Sequence, residues 1–546
     1  MAEPHRPPRL PWAAAIFLAV FGLYLASGSR EPEWGDANGM VDAADHLLKD
    51  GDVSIGFRWP EDIPAGRGGK YYCIAPILTS LVHVPGLVVG AAGHAASPRQ
   101  DGLWRPLAVH LGPAALGALI AVLFFRLARR LGVRARAASA ATALLVLGTT
   151  IWVYARYPYS EILQAAAFLG FFAASVAVIE EAGTRVVRAD AIALGVWSGL
   201  VLNSKFVYGG GVVLVGLCAA WLWRRDLRAL LRLTGWAVAG FLPFVVLALF
   251  YNWLRWGAIT ETGYGPYLAA YFGGSVFDGA WGMLASPNKS AFLYSPPLVL
   301  AAIGLPAAIR ARPRLGLTLL VTVVPLFLVY ASYRSWSGDY AWGPRFFVFA
   351  VPVVALGLAF FLDRVAPTWP RWLARAAIAG ALVSGIAVQT LGNAFYWDHF
   401  IRITMDAKTQ WLGKPNRAGS YIPERGRGHC DSCYEDMYGL LWNPPFQPIR
   451  GHWWLLTSLA RGDDARAAVA RAPWRRYSTL PLELRGSYDR ARLDWWGLLW
   501  IKDGKGTTTT GLSLLGIMLA MLGAGGWAWR RHHHAASEPA PPDAST

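Results

Sequence analysis

The acidic stretch EPEWGDANGM, residues 31–40, places Asp36 a few residues after the first hydrophobic segment of the chain. A carboxylate held at a membrane boundary can take a proton from a hydroxyl group, as a general base. The alternative interpretation is a solvated loop acid or a helix N-cap, where Asp is common. Glu31 and Glu33 are interpreted as loop acids, with a secondary contact to a metal ion or to the acceptor as the alternative. Because little else in this hydrophobic chain has the residue types for chemistry, the functional hypothesis depends largely on Asp36.

Two charged residues lie close together in ARYPYSEI, at the start of a later apolar run. Glu161 could orient an acceptor or share a divalent metal ion with Asp36, because ionisable groups at this depth usually face a cavity or a partner. The alternative, given equal weight, is an interfacial ion pair between Glu161 and Arg156. The pattern permits a metal ion but does not require one.

Two cations at the ends of apolar runs are candidate phosphate ligands. Arg345 follows Gly343–Pro344, and its guanidinium can make two parallel hydrogen bonds to a phosphate near helix N-terminal amides. Lys205, in LNSKFVYGG, is a compact cation suited to the same ligand. The alternatives are an interfacial arginine within an aromatic belt and a lysine that extends to the membrane surface.

The apolar segment 74–93 is preceded by three residues that could line an entrance for a sugar and a lipid: Lys70, Tyr71 and Tyr72. The alternative is anchoring of the tyrosines at the membrane interface. Tyr264, in ETGYG, could stack on a sugar ring, although packing of a loop is the preferred interpretation. The candidate substrate and donor-phosphate ligands are Arg345, Lys205, Arg156, Lys70, Tyr71, Tyr72 and Tyr264, and the candidate catalytic residues are Asp36 and Glu161.

The composition is that of a multi-pass membrane protein. Of the 546 residues, 55% are hydrophobic and only 16% are charged, and apolar runs of span length recur from end to end. A bilayer core needs about 20 apolar residues per helix and requires internally paired backbone groups, so helices are expected. The formal charge of +17 is concentrated in short loops, which membrane topology explains better than nucleic-acid binding.

The apolar runs and the arginine-rich loops together predict about twelve transmembrane helices with both termini in the cytoplasm. A crossing by 74–93 would place the loops at 126–136, 224–232 and 310–314 outside, against the positive-inside rule. We therefore predict that 74–93 is an outer juxtamembrane or re-entrant helix. The predicted spans are 11–28, 105–125, 137–155, 162–180, 191–208, 209–223, 233–254, 294–310, 315–333, 345–362, 373–392 and 510–529.

This topology predicts an all-α chain in four parts. Residues 1–392 form the membrane module with a first outer loop at 29–104, and 393–508 form a C-terminal extracytoplasmic domain. Residues 509–531 contain the last transmembrane helix, and 532–546 form a disordered cytoplasmic tail. The N-terminal apolar segment is predicted to be an uncleaved helix rather than a signal peptide.

Three of the four cysteines, Cys73, Cys430 and Cys433, fall on the predicted outer side, where oxidation is permitted. HCDSCYED therefore predicts a disulfide, either local or reaching Cys73. A zinc site that includes His429 ranks lower because a second Cys/His pair is lacking.

Several motifs, in this order along residues 10 to 400, resemble the membrane glycosyltransferases of the GT-C fold, in particular bacterial relatives of protein mannosyltransferases and aminoarabinose transferase. The motifs are WGDANGM, GRGGKYYCIAPILTSLVHVPG, ARYPYSEI, NWLRWGAITETGYG, SPNKSAFLYSPPL and WSGDYAWGPRFFVFAVP. The sequence departs from the family pattern at Ala37, where many relatives have a second acid, and at Cys73 and Ile74, where a lysine often follows the two tyrosines.

The resemblance implies an enzyme that moves a hexose or pentose from a polyprenyl-phosphate donor to an extracytoplasmic acceptor, which is a glycan, lipid or protein of the cell envelope. It implies that Asp36 is the base and that the enzyme lies in a bacterial inner membrane with its active site on the outer side. Direct displacement would invert the anomeric centre. The partners expected are the lipid-linked sugar, membrane lipid and the acceptor, without nucleic acid.

Two other classes of protein remain open. A transporter or flippase of a lipid-linked or polar substrate would also have many spans and cationic cavities, but it would be expected to show related halves, which are not evident. A non-catalytic assembly or adhesion protein would tolerate loss of Asp36.

Overall fold

The computed structural model describes residues 12–30, 36–58, 65–265, 272–338, 341–397, 399–400, 403, 442, 444–473, 488, 491–499 and 507–535. Asp36, Asp101, Thr507 and residues 529–535 are described in their backbone only.

Nearly all of the described chain is helical, which confirms the predicted all-α class. Two short strands, β1 (Ser54–Ile55) and β2 (Tyr71–Tyr72), pair antiparallel, with Ser54 opposite Tyr72 and Ile55 opposite Tyr71. The helices are α1 (Trp12–Ala26), α2 (Asp36–Asp50), α3 (Leu78–Leu81), α4 (Val84–Ala96), α5 (Asp101–Arg130), α6 (Ala135–Gly148), α7 (Ile151–Tyr154), α8 (Ser160–Glu180), α9 (Arg188–Ser204), α10 (Gly209–Trp223), α11 (Leu227–Trp256), α12 (Val276–Ala285), α13 (Ala291–Tyr294), α14 (Pro297–Ala311), α15 (Pro313–Ala331), α16 (Val351–Val354), α17 (Leu356–Phe360), α18 (Arg371–Ala394), α19 (Pro448–Arg461), α20 (Ala465–Ala470) and α21 (Thr507–Ala535).

Each predicted span coincides with a described helix, or with consecutive helical pieces in 137–155, 191–208, 294–310 and 345–362. By length and composition, nine helical segments among the described residues could cross a membrane, and three shorter apolar helices accompany them. The nine include Leu78–Ala96 and leave out α9, which has 17 residues and two charges in its first turn. The chain is a multi-pass membrane protein, and the number of twelve crossings stays a prediction.

The packing of Leu78–Ala96 supports its predicted place outside the membrane. Gly86 and Gly90 of α4 lie directly against Ala108 of α5, near the N-terminal end of that 30-residue helix. The C-terminal end of the α1 segment reaches the same level, because Gly28 lies against His110. Helix α4 thus packs on the part of α5 that lies at or beyond the end of α1.

Helix α8 lies at the centre of the bundle and is buried almost along its whole length. It packs against α5, α9, α15 and the helical turn Arg345–Ala350. A helix that is apolar on all sides is expected to be enclosed by other helices rather than by lipid. The first turn of α8 therefore places a carboxylate deep within protein.

Ion pairs join several of the predicted cytoplasmic loops at one end of the bundle. Arg130, at the end of α5, pairs with Glu181 after α8 and with Asp190 at the start of α9. Arg134, before α6, pairs with Asp363 at 2.6 Å. Three of the loops that the positive-inside rule groups together, near residues 130, 185 and 363, are thus also grouped in space.

The last helix, α21, runs antiparallel along α1. Gly22 of α1 lies against the backbone of Met518, and Gly525 of α21 lies against the backbone of Ala15. Glycines at both crossings let the two helices approach closely, as is common in membranes. Helix α21 continues to Ala535, so its backbone extends four residues into the segment predicted to be a tail, whose remainder, 536–546, lies outside the described residues.

Part of the predicted extracytoplasmic domain has its own small core. It includes Phe400, Trp454, Leu455 and Ala468, which form a buried cluster separate from that of the membrane bundle. The boundaries 393 and 508 stay predictions, because much of 404–441 and 474–490 lies outside the described residues.

Candidate active site

Glu161 and Arg345 form a buried ion pair at the opposite end of the bundle from the arginine-rich loops. Arg345 Nε lies 2.5 Å from Glu161 Oε1, and the two side chains are 15% and 3% exposed. Glu161 is in the first turn of α8, where the helix dipole favours an anion. Arg345 begins a helical turn after Gly343, whose φ is 68° and where a Cβ would lie 2.8 Å from the Tyr294 ring. Glycine at 343 therefore permits the turn that presents Arg345 to Glu161.

The second oxygen of Glu161, Oε2, is buried and has no hydrogen-bond partner in the described part of the chain. Tyr154, Tyr208 and Tyr330 lie within electrostatic range of this carboxylate. An unsatisfied buried acceptor costs about 1–3 kcal/mol, so such an atom marks a place where a hydroxyl or water is accommodated. The pair thus leaves one acceptor available in an aromatic pocket.

Lys205 and Arg345 lie around the same aromatic ring. Lys205 Nζ is 4.9 Å from the centroid of Phe346, and Arg345 Cζ is 5.8 Å from it. Phe346 in turn stacks on Tyr330 with a centroid distance of 5.1 Å. Cations over ring faces are held in place by the ring quadrupole. We call Glu161, Lys205, Arg345 and Phe346 the Arg345 cluster.

Tyr264 lies beside the Arg345 cluster. Its ring packs edge-on against Phe206, the residue after Lys205, with 6.3 Å between centroids. This contact agrees with the interpretation of Tyr264 as a packing residue. The structure thus brings together Glu161, Lys205, Arg345 and Tyr264 of the predicted set.

The alternative Arg156–Glu161 ion pair is wrong. Arg156 is 1% exposed and its Nη2 lies 3.7 Å from Asp494 Oδ2, while Glu161 pairs with Arg345. Arg156 also donates to the carbonyl oxygens of Ser27 and Asn393. Tyr159, directly before α8, has an extended backbone, so Arg156 and Glu161 do not belong to one continuous helix and contact different partners. Arg156 therefore joins α1, α18 and the C-terminal segment, a structural role that its prediction as a substrate ligand did not include.

Asp494 is a buried structural anion beside the candidate site that the sequence analysis did not single out. Burial alone would raise its pKa, but the charge of Arg156 and hydrogen bonds from Ser29, Tyr157 and the backbone N–H of Arg30 lower that pKa below its usual value. Asp494 is therefore an anion that fixes the segment 491–499 to the residues just before α8. The signal available in the sequence was a lone acid before the apolar run WWGLLW.

Lys70 is engaged on the surface of the β-hairpin. Its Nζ lies 2.7 Å from Asp52, and this hydrogen bond holds the pKa of Asp52 at about 2. Tyr72 packs on Trp256 and donates to the Arg67 carbonyl, while Tyr71 lies under the guanidinium of Arg58. These contacts of Lys70, Tyr71 and Tyr72 are with the outer loop and α11, so the role of the three residues toward a substrate stays a prediction.

Arg255, which the sequence analysis also missed, holds the hairpin to the bundle. It is fully buried at the end of α11 and donates to the carbonyl oxygen of Cys73 at 2.6 Å and to Asn252. A Cβ atom placed at Gly39 of α2 would lie 3.5 Å from the sulfur of Cys73. Arg255 therefore fixes the strand on which α2 packs. It is the arginine of the motif NWLRWG.

Asp36 is the first residue of α2. The next residue, Ala37, is fully buried in the main core, so the first turn of α2 faces the helical bundle. A second acid in place of Ala37 would have to be accommodated there without solvent. The side chain of Asp36 lies outside what the structure describes, and its role as base stays a prediction.

Lys289, in SPNKS, is a buried cation that the analysis did not single out. It is 1% exposed and donates to the carbonyl oxygen of Ala341, near the turn that presents Arg345. An ionisable residue within an apolar environment was the signal that could have found it.

Among the described residues, no group of three or more His, Cys, Asp and Glu side chains is arranged to hold a metal ion. Glu31, Glu33 and the side chain of Asp36 lie outside the described residues. Cys430 and Cys433 lie outside the described residues, so the predicted disulfide stays a prediction.

Comparison with known families supports the predicted relationship. Residues 105–257 match the family described as Dolichyl-phosphate-mannose-protein mannosyltransferase. This segment includes α8 with Glu161, and it includes Arg156 and Lys205. The recognised similarity to protein mannosyltransferases is thereby confirmed over that segment. No curated protein sequence matches the chain.

Solved structures of three membrane glycosyltransferases show distant similarity. ArnT from Cupriavidus metallidurans, bound to undecaprenyl phosphate, is 17% identical, with 94% of this chain and 76% of that chain covered and a TM-score of 0.47. The archaeal oligosaccharyltransferase AglB from Archaeoglobus fulgidus is 13% identical, with 80% and 60% covered and a TM-score of 0.42. The Pmt1-Pmt2 protein O-mannosyltransferase of S. cerevisiae is 16% identical, with 48% and 35% covered and a TM-score of 0.30.

Proposed function

We propose that this chain is an integral-membrane glycosyltransferase that moves a sugar from a polyprenyl-phosphate donor to an acceptor outside the cytoplasm. The match of residues 105–257 to a mannosyltransferase family supports the reaction class. The helices that could span a membrane support a lipid-linked donor. A bacterial inner membrane, with the Arg345 cluster on the outer side, is the location that the predicted topology favours.

The observation that supports this function most directly is the placing of Lys205 and Arg345 around Phe346, beside the buried Glu161. Breaking the bond between a sugar and a lipid phosphate leaves negative charge on the phosphate. Preorganised cations in a water-poor site stabilise such developing charge strongly. Arg345 and Lys205 are suited to that role because they come from different elements and converge on one ring.

Glu161 orients Arg345 in this proposal. Its bond to Nε fixes the plane of the guanidinium, so that the remaining nitrogens can be directed at a phosphate. The unsatisfied Oε2 atom is suited to accept a hydrogen bond from a hydroxyl of the sugar or acceptor. Glu161 is therefore a positioning residue that also lies next to the reacting groups.

The chemical step is a direct displacement. Asp36 takes the proton of the acceptor hydroxyl as its oxygen attacks the anomeric carbon of the donor. The bond from that carbon to the phosphate oxygen breaks, its electron pair leaves with the polyprenyl phosphate, and the anomeric centre is inverted. The family pattern assigns the base to Asp36, and the buried neighbour Ala37 directs the start of α2 toward the bundle. The segment 393–508 shapes the acceptor site.

Binding of undecaprenyl phosphate to purified protein tests the phosphate site. We expect Lys205→Gln and Arg345→Gln each to weaken binding about tenfold or more, because each removes a charge-assisted contact. Arg188→Gln is the matched control: Arg188 begins the same helix, α9, whose other end bears Lys205, and it also lies over an aromatic ring, 3.9 Å from Trp236. Equal affinity of the Arg345 variant, the Lys205 variant and the control would contradict the assignment.

A further inference from the structure

A basic groove lies between the C-terminal end of α18 and helix α19, apart from the Arg345 cluster. Its volume is about 580 Å³, and it is lined by Leu391 of α18 and by arginine and tryptophan side chains from α19 and the segment after α20. The three arginines are Arg450, Arg461 and Arg471. No acidic side chain is among the described residues that line the groove, so it is suited to an anion.

Two of these arginines carry a charge that no other described residue neutralises. Arg450 and Arg461 are exposed, and neither has an ion-pair partner in the described part of the chain. Arg471 is paired with Asp463 at 2.5 Å. The neighbouring Asp464 is occupied as the N-cap of α20, where it accepts from Ala467. Asp463 and Asp464 are thus already engaged, and within the part of the chain that the structure describes the charge of Arg450 and Arg461 is available.

The helical spacing places the groove residues of α19 on one face. Arg450, Trp454, Thr457 and Arg461 follow one another at intervals of three or four residues, so they form a single row over three turns. Trp453, next to this row, is 59% exposed. Tryptophan and arginine together are typical of the membrane–water interface, where an apolar body and a polar tip are both accommodated.

The groove is continuous with a lipid-facing surface. Leu391 lies on the same face of α18 as Ala387 and Val383, four and eight residues earlier. Val383 is 67% exposed and Ala387 is also exposed, as expected of a transmembrane helix in contact with acyl chains. An apolar row on α18 therefore leads directly to the arginines of α19.

We propose that the α18–α19 groove binds the phosphate headgroup of an anionic membrane phospholipid, whose acyl chains lie along Val383, Ala387 and Leu391. A soluble anion would use the arginines but not the apolar row that continues from them. An anionic phospholipid uses both, and its charge complements Arg450 and Arg461. The occupant is a structural lipid that holds α19 at the membrane surface. The inference does not depend on the proposed glycosyl transfer.

Native mass spectrometry of the full-length protein in detergent tests this proposal. The protein is titrated with phosphatidylglycerol or phosphatidylcholine of identical acyl chains, and bound lipid is counted. We expect phosphatidylglycerol to bind more tightly to the unmodified protein. The Arg450→Gln/Arg461→Gln variant should lose most of that preference, roughly fivefold per arginine. Arg466→Gln is the matched control, because Arg466 is an exposed arginine of the neighbouring helix α20 and does not line the groove.

The outcomes separate the alternatives. An unchanged preference for phosphatidylglycerol in the double variant, or an equal loss in the Arg466 control, would overturn the proposal. A third titration uses undecaprenyl phosphate: if the double variant loses this lipid but keeps phosphatidylglycerol, the groove serves the donor carrier and not a membrane phospholipid. Circular dichroism of the three proteins should be identical, because all substituted arginines are on the surface.

Discussion

The carboxylate of Glu161 and the guanidinium of Arg345 meet at 2.5 Å although 184 residues separate them in the chain. One group is at the start of the central helix α8 and the other follows a turn that requires glycine at position 343. The pair joins two parts of the bundle and fixes a cation next to Phe346. Its burial makes it sensitive to substitution, because removing one partner leaves an uncompensated charge.

We predict that Glu161→Ala lowers the free energy of unfolding by about 3–5 kcal/mol, the usual cost of breaking a buried ion pair. Arg345→Met should have an effect of similar size. The double variant should lose clearly less than both single losses combined, because it leaves no isolated charge. Thermal unfolding in detergent of all four proteins gives the coupling energy. Additive losses would show that the two side chains do not interact.

A second prediction concerns Arg156 and Asp494. The pKa of Asp494 is lowered in the folded protein, so its charge stabilises the fold above pH 3.9, the usual value in unfolded chains, and the stabilisation is lost as pH falls through the lower folded pKa. Asp494→Asn should therefore destabilise the protein at pH 7. Below pH 4, the unfolding temperature of this variant should fall less steeply with decreasing pH than that of the unmodified protein. Thermal unfolding at several pH values measures both effects.

The control for Asp494 is Asp45→Asn, since Asp45 forms an exposed pair with Lys49 within α2. Such surface pairs contribute at most about 1 kcal/mol. An effect of Asp45→Asn as large as that of Asp494→Asn would contradict the structural role of the buried anion.

A third prediction concerns His452, packed 4.6 Å from the Trp342 ring and bonded through Nδ1 to the Leu391 carbonyl. Burial lowers its pKa to about 4. The folded state therefore favours neutral imidazole, and stability is present above pH 6.5 and lost as pH falls from 6.5 toward 4. His452→Phe should reduce this loss, although it costs about 1 kcal/mol at pH 7 through the missing hydrogen bond. The readout is the slope of unfolding temperature against pH; an unchanged slope would count against the burial of a neutral His452.

A fourth prediction concerns the contact between the first and last transmembrane helices. A Cβ at Gly22 would lie 2.4 Å from the carbonyl oxygen of Met518, so Gly22→Leu should separate α1 from α21 and lower the unfolding temperature. Gly526→Ala is the matched control, because nothing lies within 4 Å of a Cβ at that position. We expect the control to be neutral or slightly stabilising. Equal effects of the two substitutions would contradict the antiparallel packing of α1 and α21.

The sequence predicts the helices well and their side-chain partners poorly. The predicted span 162–180 and the helix Ser160–Glu180 differ by two residues, because lipid-length apolar runs have one stable backbone conformation. The predicted span 105–125 lies within the longer helix Asp101–Arg130, because charged residues end the apolar run without ending the helix.

Only part of the candidate site can be predicted from the sequence, and the reason is physical. The cations Lys205 and Arg345 stand out in sequence because they fall within the predicted spans 191–208 and 345–362, and charge is rare inside transmembrane segments. The partner of Arg156 does not, because Asp494 is 338 residues away in the chain and only the folded bundle brings it near. Proximity in sequence suggests Glu161 as the partner of Arg156. The packing of α8 instead places Glu161 against Arg345.

The most direct test of the proposed function is sugar transfer by purified full-length protein from a panel of polyprenyl-phosphate sugars to envelope acceptors. We predict transfer from at least one donor, with inversion at the anomeric carbon, and a loss of about 100-fold or more in Asp36→Asn, since general-base catalysis contributes 10²–10⁴-fold. Asp45→Asn, in the same helix α2 and paired on the surface with Lys49, should transfer at the normal rate. Normal transfer by the Asp36→Asn variant would contradict the mechanism.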